Sequence, residues 1–143
     1  MKTDHRIITT IVSFVLLASV SPALAQYNMV VANVPFEFKI GETSLPPDAY
    51  RVSRVDGHTN VLQVRSFRRG IFVFGYRVES QDGNESPRLV FHRYGDEYFL
   101  REIRFLGSFG MNLPETVEER EAQRRADRSG SDPETVAVVA QLQ

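Results

Sequence analysis

Cysteine and tryptophan are missing from this chain, and lysine occurs only at Lys2 and Lys39 in 143 residues. Without cysteine there is no disulfide framework, no thiolate zinc or iron–sulfur site and no cysteine nucleophile. A strong charge of either sign is missing as well. Seventeen Lys+Arg against eighteen Asp+Glu leave a formal net charge of −1, so general nucleic-acid binding has no electrostatic support. The sequence contains no Gly-x-Ser-x-Gly elbow, no phosphate-binding loop and no dinucleotide fingerprint. Its longest apolar run, Ile7 to Val20, is about fourteen residues, short of the roughly 20 a helix needs to cross a bilayer.

That run belongs to an address. Lys2, His5 and Arg6 make a basic start diluted by Asp4, the apolar stretch follows, and Ala23-Leu24-Ala25 supplies the small-x-small pattern of signal peptidase. Residues 1–25 are therefore expected to be a signal peptide cleaved after Ala25, giving a secreted, periplasmic or cell-surface protein. No cysteine follows the cleavage site, which excludes a lipoprotein anchor. Subtracting Lys2, Arg6 and Asp4 leaves 15 basic and 17 acidic residues in 118, net −2, and fourteen of the basic residues are arginine. Arginine is a planar bidentate donor suited to anionic groups, although GC-rich codon usage is the plainer cause. The remaining length suffices for one domain with a real core. Lacking crosslinks, that domain must be held by core and strand pairing alone.

Composition divides the exported chain near residue 110: a β domain over 26–110, then a charged helical appendage and tail over 111–143. Val34, Phe36, Phe38 and Ile40 alternate with polar residues, the pattern of a half-buried strand whose start Pro35 demotes to an edge or bulge. Tyr50–Val55, Val61–Arg65 and Gly70–Glu79 read as further strands separated by Gly- and Asp-containing turns. In the last of these, Phe72, Phe74, Tyr76 and Val78 share one face and Ile71 and Val73 the other, which suggests a central strand. Gly95-Asp96 between two aromatic-rich runs predicts a type II′ hairpin. Its register would pair Tyr94 with Glu97, Arg93 with Tyr98, His92 with Phe99 and Phe91 with Leu100. The expected fold is all-β, a small antiparallel sandwich or barrel of about six to eight strands with a C-terminal exposed helix. Asn112 reads as the cap of that helix, and its order of early glutamates and late arginines suits the helix dipole. Val136–Ala140 is apolar enough to dock, as strand or helix.

Val34-Pro35-Phe36-Glu37-Phe38, Leu45-Pro46-Pro47-Asp48-Ala49-Tyr50-Arg51-Val52 and His92-Arg93-Tyr94-Gly95-Asp96-Glu97-Tyr98-Phe99-Leu100 carry a resemblance. The chain resembles, over roughly residues 28–115, a family of short secreted acidobacterial hypothetical proteins. These show Val-Pro-Phe-x-Phe, Leu-Pro-Ala-Gly-x-Tyr-x-Val and His-Arg-Tyr-Gly-Asp-x-Tyr-Phe-Leu motifs. Here Pro47-Asp48 stands where Ala-Gly is usual, which changes the turn. The resemblance implies a secreted β protein and brings no catalytic residue with it.

The chemical candidates are His92, Asp96 and Glu97 at the hairpin, where a histidine and carboxylates would serve a small secreted hydrolase. Turn chemistry and cross-strand pairing, including Arg93 stacked on Tyr98, account for the same residues and are the favoured reading. Arg65, Arg68 and Arg69 around Phe67, with Arg93, Tyr94 and Tyr98, are the binding candidates, directed at an envelope component, a glycan or another protein. A solvated loop is the plainer reading of the arginine run. Two histidines, His58 and His92, with scattered carboxylates give no metal site, and no cofactor is implied. The sequon at Asn84 carries no weight in a bacterial chain. Outward-facing arginines and glutamates disfavour a membrane-spanning barrel. The function expected is thus an exported non-enzymatic β module with an interaction or cell-envelope role. The alternatives are the hydrolase, or a small-ligand carrier whose cavity Phe36, Phe38, Phe72, Phe74, Phe91 and Phe99 would line.

Overall fold

The computed structural model describes residues 29–79, 86–107 and 109–142; the signal segment 1–25, its cleavage site, the turn at 81–84 and Asn84 lie outside them. Among the described residues eleven strands and one helix follow in order: β1 (Met29–Val34), β2 (Phe38–Ile40), β3 (Thr43–Leu45), β4 (Asp48–Arg54), β5 (Val61–Arg65), β6 (Gly70–Phe74), β7 (Tyr76–Glu79), β8 (Arg88–Tyr94), β9 (Glu97–Arg104), β10 (Phe109–Asn112), α1 (Val117–Ser129) and β11 (Glu134–Leu142). The all-β expectation holds. The number exceeds the six to eight expected because β2, β3, β7 and β10 are pieces of three or four residues.

The strands form one curled sheet in the order β3-β2-β9-β8-β11-β1-β4-β5-β6, with β10 joined to both β9 and β7. Pairing is antiparallel throughout except for one parallel contact, Lys39 opposite Phe99. Alternate residues line the inside of the curl: Val30, Ala32 and Val34 of β1, Tyr50 and Val52 of β4, Leu62 and Val64 of β5 are all buried. At its centre Phe38 meets Tyr50 at 5.1 Å and Phe91 at 5.2 Å, both edge-to-face. The Tyr50 hydroxyl donates to the Pro46 carbonyl at 2.6 Å, and burial raises its pKa.

The β8–β9 hairpin has the register read from sequence, Tyr94 opposite Glu97 through Phe91 opposite Leu100. Gly95, at φ 61°, is the one residue of its loop with positive φ, as a type II′ turn requires. Beyond Leu100 the register shifts between Val90 and Phe91, so that Arg101 becomes an extra residue on β9. This bulge is why Leu100 and Ile103, three apart, are both buried in the core, which strict alternation forbids.

Three readings are corrected. The strand expected over Val34–Ile40 is broken: β1 ends at Val34 and β2 begins at Phe38, since Pro35 offers no N–H to a ladder. Gly70–Glu79 is not one central strand. It divides at Gly75 into β6, which pairs only with β5, and β7, which pairs with β10. A Cβ on Gly75 would lie 3.0 Å from the Asn112 carbonyl oxygen, so a side chain here crowds β10 at the corner that links the two limbs of the curl. Gly75→Ala is therefore expected to lower stability by about 1–3 kcal/mol, read as a shifted midpoint in urea unfolding. Finally, residues 111–143 are no appendage to the sheet. Its strand β11 lies between β8 and β1, pairing Ala137 with Val90 and Val31 with Gln141.

Candidate functional site

Five side chains of the hairpin, His92, Tyr94, Glu97, Phe99 and Arg101, stand on the outer face of β8–β9 and meet α1. The helix starts at Thr116, whose Oγ1 accepts the Glu119 N–H at 3.1 Å. Thr116, not Asn112, is the cap. The Thr-x-x-Glu spacing is that of a capping box, but the Glu119 carboxylate turns to the sheet. Only 1% exposed, it accepts from Arg101 Nη1 at 2.9 Å and from the Tyr94 hydroxyl at 3.4 Å, with His92 Nδ1 3.5 Å away. Ala122 and Ala126 pack with Tyr94 and Phe99 beside it. The helix is exposed on its outer side and docked on this one. Burial, then the Glu119 charge, raises the pKa of Tyr94.

A second set of charges closes the same seam. Lys39 lies 2.9 Å from Glu97 and 3.5 Å from Glu118, and Arg125 donates to Glu97 at 2.5 Å. The hydrogen bond to Glu97 raises the pKa of Lys39 despite burial. Burial works against the charge of Glu97, but the hydrogen bonds and charges of Lys39 and Arg125 outweigh it and hold the carboxyl below its ordinary value.

The three hydrolase candidates are thus not brought together. His92 turns to Glu119, Glu97 is clamped between two cations, and Asp96 is fully exposed at the turn, 3.8 Å from Arg93. Arg93 and Tyr98 are also committed inside the fold: the guanidinium lies 5.4 Å from the Tyr98 ring centre and pairs with Glu134 at 3.1 Å, while Tyr98 stacks on Phe36 at 4.0 Å. Tyr94 is buried under the helix. His58 stands exposed in the β4–β5 turn, and no group of three metal-holding side chains occurs among the described residues. The six phenylalanines of the carrier reading do not line one lumen. Phe38 and Phe91 are core, Phe99 sits under α1, and Phe72 and Phe74 are 62% and 71% exposed.

Arg65, Arg68 and Arg69 have a different setting. Ser66, buried at the end of β5, donates its N–H to the Arg69 carbonyl at 2.8 Å, and its hydroxyl accepts the N–H groups of Arg68 and Arg69 at 3.2 and 3.3 Å. These bonds close the β5–β6 loop and hold Phe67, 100% exposed, at its tip. Arg65, Arg68 and Arg69 are exposed and have no ion pair among the described residues. The β4–β5 register places Arg51 directly opposite Arg65. On one side of the loop, Val31, Ala49, Arg51, Arg65, Ser66 and Phe67 line a depression of about 460 Å³. On the other, a groove of about 400 Å³ includes Glu37, whose carboxylate accepts the Ser44 hydroxyl at 2.6 Å.

The outer face below this loop is acid-free. By alternation and register it presents Met29, Val31 and Asn33 of β1, Ala49, Arg51 and Ser53 of β4, Val61, Gln63 and Arg65 of β5, and Gly70, Phe72 and Phe74 of β6. On other strands, Arg54 and Arg77 stand 4.9 and 4.8 Å from the Phe109 ring centre, and Arg104 pairs with Glu102. The arginine run was visible in sequence, but Arg51 joins it only through strand register. Comparison with protein-family models, with curated proteins and with solved structures finds no match to this chain.

Proposed function

We propose that the chain is an exported, non-enzymatic β module acting at the cell envelope, with the Arg65–Arg69 loop and its adjoining outer face as the contact surface. One observation carries this reading: a fully exposed phenylalanine fixed on a closed loop among arginines that no carboxylate among the described residues neutralises. A wholly exposed phenylalanine contributes no buried surface to the fold. The arrangement suits a partner that brings negative charge and covers an aromatic anchor, the combination that dominates contact energies. The hairpin residues support the reading from the other side, because their charges are spent on fastening α1. Export itself rests on the sequence of residues 1–25.

The test is co-sedimentation of the chain from Gln26 onward with an isolated cell-envelope fraction. Binding is expected, weakening as salt is raised because exposed charges are screened beyond about 10 Å at 0.1 M. The R65A/R68A/R69A variant should bind at least tenfold more weakly, since charge-assisted contacts contribute about 1.5–3 kcal/mol each. Undiminished binding by a variant with native circular dichroism would remove the loop from the contact surface.

A further inference from the structure

Resting on the loop as contact surface, we infer that its occupant is an anionic phospholipid surface, with Phe67 entering the interfacial layer and Arg65, Arg68 and Arg69 lying at headgroup level. Charge complementarity is the first argument. Arg65, Arg68 and Arg69 flank the tip, exposed and without an ion pair among the described residues, and the outer face of the limb on which Arg65 stands carries no acid. A bilayer rich in anionic headgroups offers phosphate over an extended plane, and a protein partner would be expected to need discrete matching sites. The second argument is the aromatic. Phe67 is wholly exposed at the most projecting point of the β5–β6 hairpin and is held there by the Ser66 hydrogen bonds. Those bonds fix the backbone that presents it. An apolar tip ringed by cations is the arrangement that places a side chain at the headgroup boundary while the guanidinium groups stay with phosphate.

The third argument is the sequence of exposures down the hairpin. Phe72 and Phe74, 62% and 71% exposed, stand one and two rungs behind the Arg65–Gly70 pair on the same face. The surface thus grades from an apolar tip through arginines to further aromatics. The groove beside Arg68 and Arg69 includes the Glu37 carboxylate. The carboxylate accepts the Ser44 hydroxyl and is not within ion-pair distance of either arginine, and it lies outside the acid-free face of β1, β4, β5 and β6.

Because the chain lacks tryptophan, Phe67→Trp makes a single emission reporter at the tip. Vesicles of phosphatidylglycerol in phosphatidylcholine are expected to shift F67W emission to the blue; pure phosphatidylcholine vesicles are expected to leave it unchanged. Each arginine at an anionic surface is worth about 1 kcal/mol, roughly fivefold. Adding R65A, R68A and R69A to F67W should therefore weaken partition about 100-fold. If F67W emission ignores anionic vesicles while envelope co-sedimentation persists, the occupant is an anionic polysaccharide or protein. The lipid assignment then falls and the interaction reading stands. If both signals are missing, both fall. Equal shifts with neutral vesicles would also overturn the assignment, since charge would then play no part.

Discussion

Ending the chain at Asp132 is expected to leave a protein with no cooperative unfolding transition. The deleted strand β11 is an internal member of the sheet: it pairs with β8 from Glu134 to Val139 and with β1 from Ala140 to Leu142. Ala140 is buried, and Val136, Val138 and Leu142 pack against the main core. Its removal bares two strand edges, on β8 and β1, and leaves the limbs of the curl connected chiefly through the corner at Gly75. Each lost ladder bond costs about 0.5–1.5 kcal/mol net. Two ladders together, with the apolar surface they cover, match the whole 5–15 kcal/mol by which a domain of this size is stable. The measurement is thermal and urea unfolding followed by circular dichroism. A sigmoidal transition near that of the full-length chain would mean that the sheet closes without β11.

Glu119→Ala is expected to cost about 3 kcal/mol, at the low end for breaking a buried ion pair because Arg101 retains 23% side-chain exposure. The loss strands Arg101, whose Nε already has no hydrogen-bond partner, and removes the acceptor facing the Tyr94 hydroxyl. The helix cap survives, since Thr116 receives the Glu119 backbone N–H. Thr116→Ala is the internal standard, expected at about 1 kcal/mol. Urea unfolding of the two variants separates capping from clamping. Should Glu119→Ala cost no more than Thr116→Ala, the carboxylate does not fasten the helix to the hairpin.

The sequence was most legible where a local rule and the tertiary fold agree. Gly95-Asp96 fixes a two-residue loop, and the flanking aromatics have one register that places Phe91 and Leu100 inside; the β8–β9 hairpin follows directly. The corner at Gly75 was hidden because Phe72, Phe74, Tyr76 and Val78 keep their alternation straight through it. What breaks the strand is the Asn112 carbonyl of β10, more than thirty residues along the chain. In Val136–Ala140, apolar residues stand at every position, so neither strand nor helix period emerges. The charged helix before it also drew attention to solvent. Glu119 is one of several glutamates in that helix, and nothing local separates it from Glu118 except the three-residue spacing from Thr116. The hairpin candidates His92, Asp96 and Glu97 are close in sequence, yet Asp96 stands exposed in the turn, while His92 and Glu97, on one face under the helix, are taken by Glu119 and by Lys39 and Arg125. The arginine loop was legible as a charge run, but its Arg51 neighbour and its acid-free background exist only through pairing of β4 with β5.

The first and last strands are sheet neighbours, with Val31 opposite Gln141. A chain that emerges N-terminus first, from a ribosome or a membrane channel, can form its local hairpins early, but β1 gains its second neighbour only when the final residues are free. Contacts so distant in sequence close late because the intervening loop entropy must be overcome first. The pairing of β1 with β11 joins residues about 110 apart, from Val31 to Gln141, so closing the sheet on this side is the step of highest loop-closure cost.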